Sequence, residues 1–287
     1  MDIGIGIPNT MLDAPGTIFV DWAQRAEERG FSSLATIGRI AYPGYDELVS
    51  LAAAAAVTRR IGLLTNILLS PSFPTAVLAK QTATLARLSD GRFTLGAGVG
   101  GRPDDFALTG ASFHDRGRRF NRQLKVLHAV WRGDPIPGSD LPVAPRVPGG
   151  AVPILFGGQA RFATPRAVRW QGGFTIGGAP PERAAAAAEE FRRLYTELGG
   201  TGTPRVVALM YFSLGDEYTE ESLRNLRTYY GFLGDWVEGI AQGAARSPEV
   251  LRDRIKAFEG GGIDELVLDP TVASLDQVDR AADVALS

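Results

Sequence analysis

The chain has 287 residues, 45% of them hydrophobic and 22% charged, which supplies apolar material for a large core and argues against disorder. Its formal net charge of -2 comes from interspersed acidic and basic residues, so no basic stripe is available to neutralise a nucleic-acid backbone. The absence of cysteine excludes disulfides, thiolate zinc sites, iron–sulfur clusters and a thiol nucleophile together.

Short apolar runs alternate with longer stretches of helical period from the first residues onward. Ile3–Ile7 reads as a strand, Trp22, Ala23 and Ala26 mark an amphipathic helix with a glycine stop at Gly30, and Ser33–Ile37 is the second strand. Tyr45–Thr58 is helical, Ile61–Leu69 is the third strand, and Pro74–Leu88 carries Val77, Leu78, Leu85 and Leu88 at helical spacing. Ser89-Asp90-Gly91-Arg92 then turns the chain into the fourth strand, Phe93–Gly98, and Phe120–Trp131 forms a further helix. Residues 133–152 concentrate proline and glycine without helical period, and are expected to form an inserted loop or hairpin between two halves of the fold.

The second half reads the same way. Strands are expected at Pro153–Phe156, Gly173–Ile176, Arg205–Phe212 and Glu265–Leu268, with helices at Thr164–Trp170, Pro181–Leu198 and Ser247–Glu259 and an extra helical stretch over Ser222–Gly243. Repeated βα units of this number, in a chain slightly longer than about 250 residues, predict one (β/α)8 barrel over residues 1–287. The longest weakly polar run, Leu48–Val57, falls well short of the roughly 20 residues that cross a bilayer, and no membrane association is expected. Met1–Ile7 lacks the character of a signal peptide, so a cytoplasmic location is the expectation.

The most specific text lies between Arg60 and Gly101. It reads Ile61-Gly62-Leu63-Leu64-Thr65-Asn66, then Leu88-Ser89-Asp90-Gly91-Arg92-Phe93 and Leu95-Gly96-Ala97-Gly98-Val99-Gly100. Further text follows at Asp115-Arg116-Gly117-Arg118-Arg119-Phe120, Pro153-Ile154-Leu155-Phe156-Gly157-Gly158 and Gly261-Gly262-Ile263-Asp264-Glu265-Leu266. Over nearly the whole chain this resembles the bacterial luciferase-like monooxygenase family. The resemblance implies an oxidoreductase that binds reduced FMN, or its deazaflavin relative coenzyme F420, at the carboxyl ends of the strands. It also implies a homodimer, a separate flavin reductase as partner for the FMN reading, and a small-molecule substrate. At Asn66-Ile67 it implies a non-prolyl cis peptide beneath the cofactor ring.

Barrel sites are built from the loops after each strand, so the segments after Ile7, Ile37, Asn66, Gly98 and Phe156 should converge. Gly98, Gly100 and Gly101 lie at and after the end of strand four, where missing side chains let backbone N–H groups approach a ligand and Arg102 adds a charge partner; the glycines serve equally as a tight strand exit. Gly157, Gly158, Gln159 and Ala160 precede a helix expected near Thr164-Pro165, and a helix start offers N–H groups to a phosphate. Thr164 there also suits an N-cap, with Pro165 as first helical residue. Gly177 and Gly178 are placed to close the same pocket.

Arg39, Tyr42 and Asn66 are the candidates for positioning reactants, with Arg39 suited to an anionic group and Tyr42 and Tyr45 to hydrogen bonding. Gly38-Arg39 stand where deazaflavin-dependent sugar-phosphate dehydrogenases and similar members of the family commonly place an acid and a histidine, and Gly101 where that branch often places a further acid, which weighs against a specific alcohol-dehydrogenase chemistry without excluding deazaflavin binding. Neither histidine offers a metal site: His128 has core spacing with Leu124, Leu127 and Trp131, and His114 reads as a loop residue. Tyr229, Tyr230, Phe232 and Trp236 either cap an apolar substrate pocket or pack on the barrel. A monooxygenase acting on a small apolar or aromatic substrate is the leading expectation. Deazaflavin-dependent hydride transfer and a non-catalytic flavin-binding barrel are its rivals.

Overall fold

Alternate residues of the strands project into the barrel and the others face the helices, and this period of two sets the whole architecture. The computed structural model describes all residues 1–287. In the first half, β1 (Asp2–Gly6), α1 (Ile18–Arg29), β2 (Ser33–Thr36), α2 (Glu47–Val57), β3 (Gly62–Thr65), β4 (Leu68–Leu69), α3 (Thr75–Leu88), β5 (Phe93–Gly98), α4 (Pro103–Thr109) and α5 (Arg116–Arg132) follow in order. In the second half come β6 (Ile154–Gly157), α6 (Ala160–Trp170), β7 (Gly173–Ile176), α7 (Pro181–Glu197), β8 (Val206–Phe212), α8 (Thr219–Tyr230), α9 (Val237–Gln242), α10 (Pro248–Gly260), β9 (Glu265–Pro270) and α11 (Asp276–Ala285).

All strand pairings are parallel, in the order β3-β2-β1-β9-β8-β7-β6-β5, and β3 closes the cylinder by pairing with β5 at Leu63–Phe93 and Leu64–Thr94. The expected (β/α)8 barrel is therefore the fold. The third strand is not continuous over Ile61–Leu69 as expected. A cis peptide at Asn66-Ile67 interrupts it, and the short β4 resumes on the other side, pairing Leu68 with Ala97.

The barrel interior is stacked in layers. At the amino-terminal end Glu265 accepts hydrogen bonds from the hydroxyls of Ser32 and Ser33, both at 2.6 Å, and pairs with Arg205. Two residues further along the strands, Ala35, Leu64, Leu155, Val207 and Val267 make a dry apolar layer. Two further still, Ile37 and Leu209, and beyond them Tyr211, face the carboxyl-terminal mouth. The larger core lies between strands and helices, where Trp22, Trp131, Phe93, Phe156, Phe174 and Phe191 are fully buried. Each such aliphatic or phenyl side chain contributes roughly 1.5–3 kcal/mol by leaving water.

Residues 133–153 contain neither strand nor α-helix, only a 3-10 turn at Pro148–Gly150, and they pack Val147 and Val152 onto the core. No hairpin forms there. Helix α6 begins four residues before the expected Thr164, because Ala160, Ala163, Thr164 and Ala167 make a continuous buried stripe. Thr164 consequently lies inside the helix, donating its hydroxyl to the Ala160 carbonyl, and does not cap it. The stretch 222–243 resolves into α8, a 3-10 segment at Gly231–Trp236, and α9. No helix is long and apolar enough to cross a membrane.

Candidate active site

The mouth is organised around the break in the third strand. The Asn66 amide donates to the Thr36 carbonyl at 2.6 Å, which keeps the backbone in register with β2 up to the cis bond. Its side chain is buried; Oδ1 accepts from the Thr175 hydroxyl, while Nδ2 has no partner. Ile67 drops its side chain into a niche between β5 and β6. A Cβ on Gly98 would lie 2.1 Å from Ile67 Cδ1, and one on Gly157 would lie 2.9 Å from Ile67 Cγ2, so neither position has room for a side chain.

Two adjoining cavities meet at Asn66, Ile67 and Gly177. The larger, about 620 Å³, runs past Gly157, Gly158 and Thr175 to Gln159, Ala160 and Arg161 at the start of α6. The Gln159 side chain turns to Arg161 Nε at 3.0 Å and does not cap the helix, so the first-turn N–H groups at Ala160 and Arg161 have no acceptor. Arg161 and Arg183 both line this end; neither enters an ion pair, and Glu190 is the one carboxylate beside them.

The smaller cavity, about 240 Å³, is walled by Ile37, Leu69, Leu209, Tyr211, Tyr229 and Tyr230, with Gly38, Gly100, Gly101, Arg102, Asp105 and Gly178 completing it. The hydroxyls of Tyr211 and Tyr230 are hydrogen bonded to each other, and burial pushes both phenols, and that of Tyr229, above their ordinary range. Burial likewise lowers the Arg102 guanidinium, whose Nη1 lacks a hydrogen-bond partner.

The sequence-derived candidates separate on this geometry. Asn66, Ile67, Gly157, Gly158, Gln159, Ala160 and Gly177 line the larger cavity; Gly100, Gly101, Arg102 and Gly178 line the smaller. Gly98 lines neither and gives its space to Ile67. Arg39 and Tyr42 also stand outside both cavities, behind Tyr229. Arg39 pairs with Asp104 at 2.7 Å and donates to the Tyr229 carbonyl at 3.3 Å, and the Tyr42 ring packs edge-on to Tyr229 at 5.1 Å. Tyr45 turns away altogether, donating its hydroxyl to the Ala14 carbonyl at 2.8 Å.

His114 is exposed. His128 stacks on Trp170 at 4.2 Å in the core, where burial, helped by Arg132, depresses it to about 4. No group of histidine and acidic side chains is arranged to hold a metal ion. The aromatic stretch after β8 splits in function: Tyr229 and Tyr230 face the small cavity, whereas Phe232 and Trp236 are 49% and 78% exposed.

Several groups at the mouth carried no sequence signal. Thr175 is one threonine in a four-residue strand, and only folding places it against Asn66. Glu47 looks like an ordinary acid in the first turn of a helix, yet it is 3% exposed. Its Oε1 has no partner and occupies the space a Gly38 side chain would need, 1.8 Å from an ideal Cβ. Burial, reinforced by the charges of Asp46 and Asp105, raises Glu47 to about 8. Asp269, on the last strand, is also buried, with Oδ1 unpartnered and its carboxyl pushed well upward by desolvation.

The profile of the luciferase-like monooxygenase family matches residues 5–278. The chain belongs to this family. Among curated relatives of this luciferase-like protein, an uncharacterised protein of Mycobacterium tuberculosis is 31% identical over 216 residues, covering 64% of this chain and 74% of the relative. The 4-hydroxyprotoasukamycin monooxygenase of Streptomyces nodosus subsp. asukaensis is 38% identical over 84 residues, 29% of this chain and 23% of that enzyme. Among solved structures, monooxygenase RslO1 from Streptomyces bottropensis superposes with a TM-score of 0.77 at 20% identity, covering 99% of this chain and 97% of that one. An F420-dependent secondary alcohol dehydrogenase, in complex with an F420-acetone adduct, gives 0.80 at 19% identity, covering 99% and 98%. At these identities the superpositions establish the shared fold.

Proposed function

We propose that this luciferase-like protein is a flavin-dependent oxidoreductase, a monooxygenase using reduced FMN and oxygen on a small substrate with an apolar or aromatic body. One observation carries the reading: the larger cavity joins the unpartnered side-chain Nδ2 of Asn66 at one end to the unpartnered N–H groups of α6 at the other, flanked by two arginines without ion pairs. That donor set fits a ring with polar edges attached to a phosphate. Arg161, Arg183 and the start of α6 would hold the phosphate, and Asn66, oriented by Thr175, would hold the ring edge.

When bound, reduced FMN supplies the two electrons that activate dioxygen. The chain's own part is to orient and to exclude water. The tyrosine and leucine walls of the smaller cavity seat an apolar body beside Asn66 and Ile67, and their burial keeps solvent from the junction. Arg39 and Tyr42 support this wall through Tyr229. A separate reductase would deliver reduced FMN, and the family resemblance makes a cytoplasmic homodimer the working assembly.

A second reading, hydride transfer with coenzyme F420, draws on the same two arginines, each without an ion pair and so able to hold a separate anionic group. A longer acidic tail would occupy both. Parallel titration of the purified protein with FMN, reduced FMN and coenzyme F420 tests the proposal. Reduced FMN is expected to bind selectively, and joint replacement Arg161→Ala and Arg183→Ala to weaken it and flatten its salt dependence. Selective binding of coenzyme F420 moves the assignment to hydride transfer. A folded barrel that binds none of the three is a non-catalytic member of the family.

A further inference from the structure

Two arginines flank Tyr229, Arg39 behind it and Arg102 on the wall of the smaller cavity, and only Arg39 is in an ion pair. Arg39 is paired with Asp104 at 2.7 Å and further held by the Tyr229 carbonyl. Arg102 has no ion pair, and its Nη1 is buried without a hydrogen-bond partner. Its guanidinium lies 3.7 Å from the centroid of Phe232 and 4.9 Å from that of Tyr229. Aromatic faces return part of the lost hydration of a cation but satisfy none of its five directional donors. A planar, half-desolvated guanidinium beside an apolar cavity is the arrangement that selects a planar oxyanion, which accepts two parallel hydrogen bonds from it.

We propose that Arg102 is a specificity-determining residue and that the substrate is a small aromatic monoanion, a single ring carrying one carboxylate-like group. This rests on the reading of the larger cavity as the cofactor site, which leaves the smaller one for substrate. The volume sets the size: about 240 Å³ equals roughly eight waters at about 30 Å³ each, room for one substituted ring. The walls set the shape, since Tyr211, Tyr229 and Tyr230 present ring surfaces. Asp105 limits the charge. Its Oδ1 accepts from the amides of Ile40 and Ala41 at 2.8 and 2.6 Å, and its unpartnered Oδ2 on the same wall opposes a second anionic group. The cofactor's phosphate does not compete for Arg102, because its donors lie at the far end of the other cavity.

The test compares benzoate with its neutral isostere benzamide by calorimetric titration of the full-length protein, with and without saturating FMN. Benzoate is expected to bind about 10- to 100-fold more tightly than benzamide, the range of a charge-assisted hydrogen-bonded pair. Arg102→Gln should abolish that preference while leaving FMN affinity within about threefold, and Arg102→Lys, which keeps the charge without the planar fork, should retain part of it. Equal binding of the two probes, no benzoate binding at millimolar concentration, or a preference that survives Arg102→Gln overturns the inference. Loss of FMN binding in Arg102→Gln assigns the arginine to the cofactor and overturns it as well. Failure of the wild type to bind any flavin refutes the cofactor reading alone, because the benzoate preference is also measured without cofactor.

Discussion

Glu47→Gln is a sharp test of how the mouth is built. In the folded protein the carboxyl is 3% exposed, one oxygen has no partner, and burial raises it from an ordinary 4.5 to about 8. Between those values the native state keeps a proton that the unfolded chain has released, so this group makes stability fall as pH rises through that window. At about 1.4 kcal/mol per pH unit the full span amounts to about 5 kcal/mol, reached near pH 8. Glutamine fills the same space and does not titrate. The variant should match the wild type near pH 4.5 and exceed it by about 2–5 kcal/mol at pH 8.5, relaxation around the charged form accounting for the lower figure. Urea unfolding of both proteins at pH 5, 6.5 and 8.5 reads this directly. A stability difference that stays constant with pH, or a wild type that gains on the variant as pH rises, would show that Glu47 is ionised in the native state and refute the reasoning.

Three further expectations follow from particular contacts. Thr175→Val removes the donor to Asn66 Oδ1 and leaves a buried amide oxygen unpaired; stability should drop by about 1–3 kcal/mol in chemical denaturation, with weaker flavin binding in the same titration. Gly157→Ala would place a methyl 2.9 Å from Ile67 Cγ2, so the Ile67 side chain must shift; a cost of about 1–3 kcal/mol is expected, and an unchanged melting temperature would contradict it. His128, depressed to about 4 by burial, gives stability that is complete above pH 6.5 and lost as pH falls toward 4. His128→Phe should flatten the acid limb of the stability profile while preserving the stack on Trp170.

The residues assigned to substrate illustrate where sequence reading runs out. Arg39 and Tyr42 follow the second strand, so chain position alone puts them at the mouth, but position does not reveal a partner 65 residues away. Asp104 neutralises Arg39, and the free cation is Arg102, from a different loop. The glycines after strand four divide similarly: Gly100 and Gly101 open the small cavity, whereas Gly98 accommodates Ile67. The Thr164-Pro165 pair imitates a helix entry four residues after the true start of α6 at Ala160. The buried alanine stripe, whose burial depends on the barrel, decided the true boundary.

By itself the sequence determined the order of strands and helices, the parallel barrel, the family, and the loops that form its mouth. Those properties are written in local periodicity and in short contiguous motifs, so each is present within a few residues of chain. Only the tertiary structure decided which donors are spent and which are free. The Thr175–Asn66 bond, the Arg39–Asp104 pair, the buried Glu47 carboxyl in the space of Gly38 and the Phe232 ring beside Arg102 are all made by tertiary packing. Partnership and desolvation are set by what packing brings within a few ångströms, and no local pattern encodes that.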